Sequence, residues 1–341
     1  MAHRVFQSWN GCDGEIGLEI SAQSACPISG TYDGVVVYNR DRYGFPMRTV
    51  ISKATGLVYT DPRPADDAID DFYRNGYRRF YKSAPVPKWK HTARNARIAG
   101  QRMDVIQSLT TKGSTVLDVG TGSGELLYVG RRAGLEMQGI EADQAYAQFG
   151  RRSYGVKIIN QSLQRARLPE AHFDVVTIYH VLEHLADPTA ALKKLATALK
   201  PGGHLVIEVP NVDSLDAQFR QKWHPGHLFH FNCATLSALA NVCGFEVVTV
   251  YTCDRLSVVW AILKKPEVAV DRRWPYLIEG NFDHTWQILQ SQARQSWMTN
   301  LKHKFMRNSK KLQRNLHEWI SAMSEPSHRK LVDKVSRRKA A

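Results

Sequence analysis

The stretch Thr115-Val-Leu-Asp-Val-Gly-Thr-Gly-Ser-Gly-Glu-Leu-Leu127 decides the fold. A short apolar run carries an aspartate, Asp118, just ahead of glycines at 120, 122 and 124, and a helical pattern follows. Glycines at that spacing let the chain turn sharply out of a strand and let a ligand approach the main chain, while the next helix offers its amide end. A dinucleotide site has a similar turn, with an acid about twenty residues on that grips a ribose. Here Glu141 stands at that place. Asp118 separates the two possibilities, because a pyrophosphate would bring negative charge toward a carboxylate in a partly dry cleft. A cationic, phosphate-free ligand is favoured instead.

Outward from this stretch, apolar runs alternate with helical ones, as a doubly wound sheet requires. The strands are expected at TVLDVG, EMQGIEA, VKIIN, FDVVTIYH and GHLVIEVP, with helices over Gly124–Ala133, Gln144–Ser153 and Thr189–Leu199 between them. PGG at 201–203 stops the last helix. An irregular segment, NVDSLDAQFRQKWHPGHLFHFN, precedes a helix, ATLSALANVCG, and then two β-rich runs, FEVVTVYT and LSVVWAILKK. Consecutive strands without a helix between them pair as an antiparallel hairpin. Upstream, Asp66–Tyr81 and Lys88–Leu109 read as helices, and the first sixty residues as short strands and turns.

Four motifs occur in order: VLDVGTGSGELL, GIEAD, FDVVTIYHVLEHLADP and LKPGGHLVIEVPN. Together they resemble the class I S-adenosylmethionine-dependent methyltransferases, over Thr115 to about Lys265. The resemblance implies an α/β, Rossmann-like seven-stranded sheet with an antiparallel last strand, flanked by a small N-terminal β-rich subdomain and a C-terminal helical extension. It implies S-adenosylmethionine as cofactor. Asp118, Gly120, Gly122 and Gly124 would surround its methionine end, and Glu141 would bind the ribose hydroxyls. Asn160, Gln161 and Ser162 would meet the adenine, although the family often has an acid in that turn.

Methyl transfer from a sulfonium is an in-line displacement, so the protein positions the acceptor and supplies a base for a hydroxyl proton. Base candidates belong past the carboxyl ends of the fourth and fifth strands. His180 and His184 lie in YHVLEHLADP, and His224, His227 and His230 in WHPGHLFHF. His184 beside Glu183, and His227, are the preferred bases, since Glu183 can hold an imidazole in its useful tautomer. His180 completes the set. The spacing alone shows no complete metal-ligand set here, so no metal is expected.

The EHL turn and the W…H…HF segment resemble a subgroup acting on sugars, quinones and lipid-linked acceptors. Gly56–Tyr77, GLVYTDPRPADDAIDDFYRNGY, resembles the segment that follows a zinc ribbon in many sugar and polysaccharide methyltransferases. The ribbon is degenerate. Cys26 is kept, but Ser29, Ser52 and Thr55 stand where its partners would be, and hydroxyls do not replace thiolates on zinc. Packing through Val35–Tyr38 and Tyr43–Phe45 is expected to hold its shape.

The resulting division is a ribbon-like subdomain over 1–65, a helical cap over 66–110, the methyltransferase domain over 111–266 and a basic helical extension over 267–341. Charge follows this division: the chain is formally +14, and from Lys302 onward twelve Lys and Arg face three acids. An apolar stripe runs through Trp286, Leu289, Ala293, Trp297, Leu301, Phe305, Leu312, Leu316, Trp319 and Met323, interrupted near Asn308–Ser309. Such a basic helical tail can pack on its own domain or on a second copy in a homo-oligomer, lie on an anionic membrane surface, or, third in order, bind nucleic acid.

Five scattered cysteines argue against a disulfide framework and, with no secretory leader pattern, for a cytoplasmic protein, peripheral to the membrane if the tail binds lipid. The expected activity is O-methylation of a sugar, glycan or other small or lipid-linked hydroxyl. An RNA methyltransferase and an inactive scaffold of the same fold are the alternatives. The YHVLEH turn lacks the prolines that amino-methylating DNA enzymes carry after the fourth strand.

Overall fold

The computed structural model describes residues 23–65, 69, 86–216, 218–253, 257–268, 276–294 and 327–336. Strands β4 (Thr115–Val119), β5 (Glu136–Ile140), β6 (Lys157–Ile159), β7 (Phe173–Tyr179), β8 (Leu199–Pro210), β10 (Glu246–Cys253) and β11 (Val258–Lys264) form a seven-stranded sheet in the order β10-β11-β8-β7-β4-β5-β6. Strand β5 pairs in parallel with both β4 and β6. The expected hairpin is present: β10 pairs antiparallel with β11, which pairs antiparallel with β8. The sheet is thus α/β and mixed, as the motif order implies.

Burial explains why these runs are strands. Val116, Leu117 and Val119 of β4, and Val175, Val176 and Ile178 of β7, are buried, the near-continuous apolar signature of a strand covered on both faces. The order reverses beside β4, the type of place where open α/β sheets bind ligands past their carboxyl ends. One boundary differs from the reading above: β8 begins at Leu199, not at Gly203, because the helix before it, Pro188–Ala198, ends one residue early and the PGG turn is absorbed into the strand.

The chain divides into two compact units, one of Met1–Ile69, Ile178–Thr197 and Pro201–Asn300, the other of Asp70–Thr177, Ala198–Lys200 and Leu301–Ala341. The first contains a second, four-stranded sheet of β1 (Gly34–Arg40), β2 (Pro46–Ser52), β3 (Val58–Thr60) and β9 (Phe229–His230), all antiparallel. Its fourth strand comes from far along the sequence, with Tyr59 opposite Phe229 and Val58 opposite His230. Val35, Val37, Met47, Ile51 and Val58 pack with Phe219, Trp223 and Leu289 into one cluster. Tyr43 and Phe45 are about half exposed, which corrects their expected place in that packing. They flank the turn between β1 and β2, where Asp41 Oδ1 accepts the Tyr43 and Phe45 amides.

Trp286 and Ala293 of the helix Asn281–Arg294 pack against that cluster. This part of the apolar stripe therefore covers protein. The remainder of the stripe, from Trp297 to Met323, and the helix expected over 66–81 lie outside the described residues, Ile69 apart. None of the described helices is long and apolar enough to cross a membrane.

In the second unit, helix α1 (Trp89–Ser108) covers the expected span. A short helix, α8 (His328–Ser336), packs on it: Leu331 and Val332 are fully buried, the His328 ring stacks on Trp89 at 3.9 Å, and Tyr128 donates to the Asp333 carboxylate. This end of the basic extension is packed on its own unit.

Candidate active site

The glycine turn leaves β4 and enters helix α2 (Glu125–Arg132). Gly120, Gly122 and Gly124 have φ of 73°, 61° and 86°, the left-handed region that glycine favours. At Gly124 a Cβ would, in addition to the backbone strain, stand 3.0 Å from Val156 Cγ2. The turn is pinned to β5: the Gly120 and Thr121 amides both donate to Ile140 O, at 2.8 and 3.0 Å.

Asp118 is buried, and its Oδ1 accepts from Thr177 Oγ1 of β7 at 2.8 Å. Burial pushes its carboxyl above the usual 3.8, against the lowering effect of that hydrogen bond. Glu141 is buried at the end of β5 and uses both oxygens: Oε2 accepts from the Gly122 amide at 2.7 Å and Oε1 from the Asp143 amide at 2.9 Å. Asp143 in turn caps helix α3 (Gln144–Tyr154) by accepting from the Tyr146 amide. The Asn160 side-chain amide donates to Glu141 O and Ala142 O, which fixes the turn after β6. Gln161 is exposed, and Ser162 Oγ is buried without a hydrogen-bond partner among the described residues.

Three residues beside this cradle, Ser123, Glu125 and Tyr154, escaped the sequence reading. Ser123 Oγ reaches both oxygens of buried Glu125, at 2.8 and 2.7 Å, and Tyr154 OH lies 3.5 Å from it. Burial, then the Glu125 charge, pushes the Tyr154 phenol far up. The available signal was an acid directly after the third glycine, at the helix start where the dipole favours it.

The histidine segments lie together in the other unit. Past β7, His180 adopts φ of 55°, unusual for a residue with a side chain, and a 3₁₀ turn covers Leu182–His184. The strand pairing of β9 holds the WHPGHLFHF segment, and the Leu228 amide donates to Glu183 O at 2.7 Å. His184 Nδ1 lies 2.6 Å from Gly226 O, so that nitrogen carries the hydrogen and Nε2 the lone pair. The His184 and His227 rings are 4.7 Å apart, and His224 stacks on His227 at 4.6 Å.

Burial holds these imidazoles neutral. It lowers His184, takes His227 well below 6.5, and brings His224 and His230 down to about 3. His180 differs. Although burial opposes its charge, the carboxylates of Glu183, at 3.5 Å, and Glu208, at 2.7 Å, raise it to about 9. Glu183, His184 and His227 bring one ligating atom each to within 4.8 Å of one another, a grouping the sequence spacing did not reveal.

The seven-stranded sheet with its antiparallel strand pairing is of the class I S-adenosylmethionine-dependent methyltransferase type. Residues 89–250 match the protein-family model described as a methyltransferase domain. The chain is 37% identical over 112 residues to a ubiquinone biosynthesis O-methyltransferase of Ralstonia nicotianae, covering 30% of this chain and 47% of that one. It is 34% identical over 106 residues to the protein of the same description from Alkalilimnicola ehrlichii, covering 29% and 43%. A solved S-adenosylmethionine-dependent methyltransferase from Archaeoglobus fulgidus superposes with a TM-score of 0.43 at 20% identity, covering 50% of this chain and 94% of that one. The chain spans about half the length of the curated relatives it matches.

S-adenosylmethionine, the cofactor of the class, fits the residues present. The cradle offers two buried carboxylates to a ligand with an ammonium, a sulfonium and a ribose diol, and Ser162 Oγ is an orphaned polar atom in the turn assigned to adenine.

Proposed function

We infer that the chain is an S-adenosylmethionine-dependent O-methyltransferase acting on a hydroxyl of a sugar, glycan or other small or lipid-linked acceptor. The observation that carries this reading is the pair of buried carboxylates, Asp118 and Glu141, on either side of a glycine turn. Two negative groups there favour a cationic donor over a pyrophosphate. Asp118 and the three glycines hold the methionine end, Glu141 the ribose, and Asn160, Gln161 and Ser162 the adenine side. The bound cofactor supplies an activated methyl group. Glu183, His184 and His227, with His180 beside them, prepare the acceptor hydroxyl for attack.

The relatives named as O-methyltransferases of ubiquinone biosynthesis support a hydroxyl acceptor, and a quinone-type acceptor stands beside a sugar in this reading. In the same reading, the N-terminal sheet is a zinc-ribbon shape without its metal. Cys26 Sγ lies 3.4 Å from Thr55 Oγ1, and Ser52 Oγ accepts the Thr55 amide at 3.2 Å, so three of the four positions that would ligate zinc are linked by hydrogen bonds. Ser29 turns instead to Thr31.

Calorimetry with S-adenosylmethionine and with NAD tests the cofactor. Binding of NAD alone, or of neither, rejects the reading. Methyl transfer from labelled cofactor to a catechol-type diphenol and to a sugar-bearing acceptor then separates the two acceptor classes.

A further inference from the structure

The carboxylate of Glu125, the first residue of α2, is buried and meets donors from three directions. Ser123 Oγ of the glycine turn lies 2.8 and 2.7 Å from its two oxygens, Tyr154 OH of α3 lies 3.5 Å from Oε1, and Asn95 Nδ2 of α1 lies 3.4 Å from Oε2. An acid that served only the helix dipole would act as well from the surface, without the cost of leaving water. Here the buried carboxylate fixes the side chain of Ser123, which stands between Gly122 and Gly124 of the turn.

The groups around Glu125 lead on to the last described helix. Burial and the Glu125 charge raise the Tyr154 phenol, while the Thr92 hydroxyl of α1 beside it acts in the opposite sense. Thr92 Oγ1 in turn lies 2.7 Å from Nδ1 of His328, the first residue of α8. Phe149 of α3 makes edge contacts with both rings, at 5.9 Å to Tyr154 and 5.0 Å to His328. On the other side, Tyr128 of α2 packs on Tyr154 at 5.5 Å and is bonded to α8 through Arg329 and Asp333. All of these contacts lie within the second unit. A polar route and an aromatic route thus join α8 to the glycine turn.

We propose that Glu125 and His328 are positioning residues for S-adenosylmethionine: α8, docked on α1, holds Thr92 and Tyr154 against Glu125, and Glu125 holds Ser123 in the turn that receives the cofactor. The proposal rests on the glycine turn being the cofactor's seat. Both residues act through the turn, so their loss weakens cofactor binding while the remaining contacts of the cradle persist. Coupling of this kind is reciprocal, and cofactor binding therefore tightens the docking of α8 by the same factor.

Calorimetry with S-adenosylmethionine on the full-length chain tests this, with Glu141→Ala as the reference for the site itself. Affinity should fall by about fivefold or more in both Glu125→Gln and His328→Ala, in variants that circular dichroism shows to be folded. His328→Ala combined with Ser123→Ala should lose less than the two single losses multiplied, because both break one chain of contacts. Hydrogen exchange over residues 327–336 should slow when the cofactor is added to the parent. A helix that only adds stability would lower the melting temperature and move neither the affinity nor the exchange. If Glu125→Gln does not fold, His328→Ala, at a partly exposed position, decides together with the exchange of the parent. Parental affinity in folded His328→Ala, or exchange over 327–336 that the bound cofactor leaves unchanged, overturns this proposal alone. No binding by the parent, or parental affinity in Glu141→Ala, overturns the reading of the site and this proposal with it.

Discussion

The Gly122 amide donates to Glu141 Oε2 at 2.7 Å, so the carboxylate assigned to the ribose also braces the glycine turn. Its other oxygen takes the Asp143 amide at the start of α3. Removing the carboxylate loses a charge-assisted anchor and loosens the turn. Glu141→Ala should weaken S-adenosylmethionine binding by about 10- to 100-fold, equivalent to roughly 1.5–3 kcal/mol. Calorimetry on a variant with parental circular dichroism checks this; parental affinity would remove Glu141 from the site.

Asp118 sets ligand binding against stability. Its carboxyl is raised above 3.8 chiefly by burial, so the charged form is disfavoured in the folded protein. For an acid raised on folding, the penalty is absent below the ordinary value and grows as pH rises above it. Asp118→Asn keeps an oxygen to accept from Thr177 but removes the charge. The variant should melt higher than the parent at pH 7, and the gap should close as pH falls toward 4. Its affinity for S-adenosylmethionine should drop at least about tenfold, because the cation loses a buried counter-charge. A lower melting point at pH 7 would contradict the assignment.

The cradle was legible because it is local. Asp118, the three glycines and Glu141 lie within 24 consecutive residues, and strand-turn-helix geometry follows from their spacing. The histidine frame was only half legible. The sequence shows His184 and His227 in two separate motifs, but their meeting depends on the two-residue strand Phe229–His230 joining the N-terminal sheet, a pairing that no periodicity in so short a run encodes. Likewise, the tail's basic charge drew attention to surfaces, while Leu331 and Val332, two apolar residues among cations, carry its docking. Charge is counted from composition, whereas burial depends on the partner face, here α1.

His184→Ala and His227→Ala should each slow methyl transfer by about 10²- to 10⁴-fold, the range for losing a group that handles the acceptor proton. Cofactor affinity should stay within about twofold in both, because neither residue belongs to the glycine cradle. Single-turnover rates and calorimetry separate the two effects. Full turnover in both variants would reject the acceptor role of this cluster.

The ribbon reading has a constructive test. Cys26, Ser29, Ser52 and Thr55 are all buried, with Cys26 Sγ already 3.4 Å from Thr55 Oγ1. Thiolates in place of the three hydroxyls would give a Cys₄ set of the structural zinc type. The triple variant Ser29→Cys, Ser52→Cys, Thr55→Cys should bind Co²⁺ with the intense near-ultraviolet absorption of thiolate coordination, and the parent should not. Absence of that band in a folded variant would reject the ribbon origin of the sheet.

The end of the basic extension is the last structural claim open to measurement. Leu331 is fully buried in α8, and around it Tyr128 donates to Asp333 at 3.0 Å while the Arg329 guanidinium donates to Tyr128 OH at 3.1 Å. A solvated or lipid-bound helix would not respond to loss of that side chain, but a packed one leaves a cavity. Leu331→Ala should therefore destabilise the protein by about 2–4 kcal/mol, the usual range for such truncations. Tyr128→Phe should cost about 1 kcal/mol, since it leaves Asp333 with Arg132 at 3.1 Å as a remaining partner. Denaturant titration measures both, and a Leu331→Ala variant as stable as the parent would show that α8 does not dock on α1 in solution.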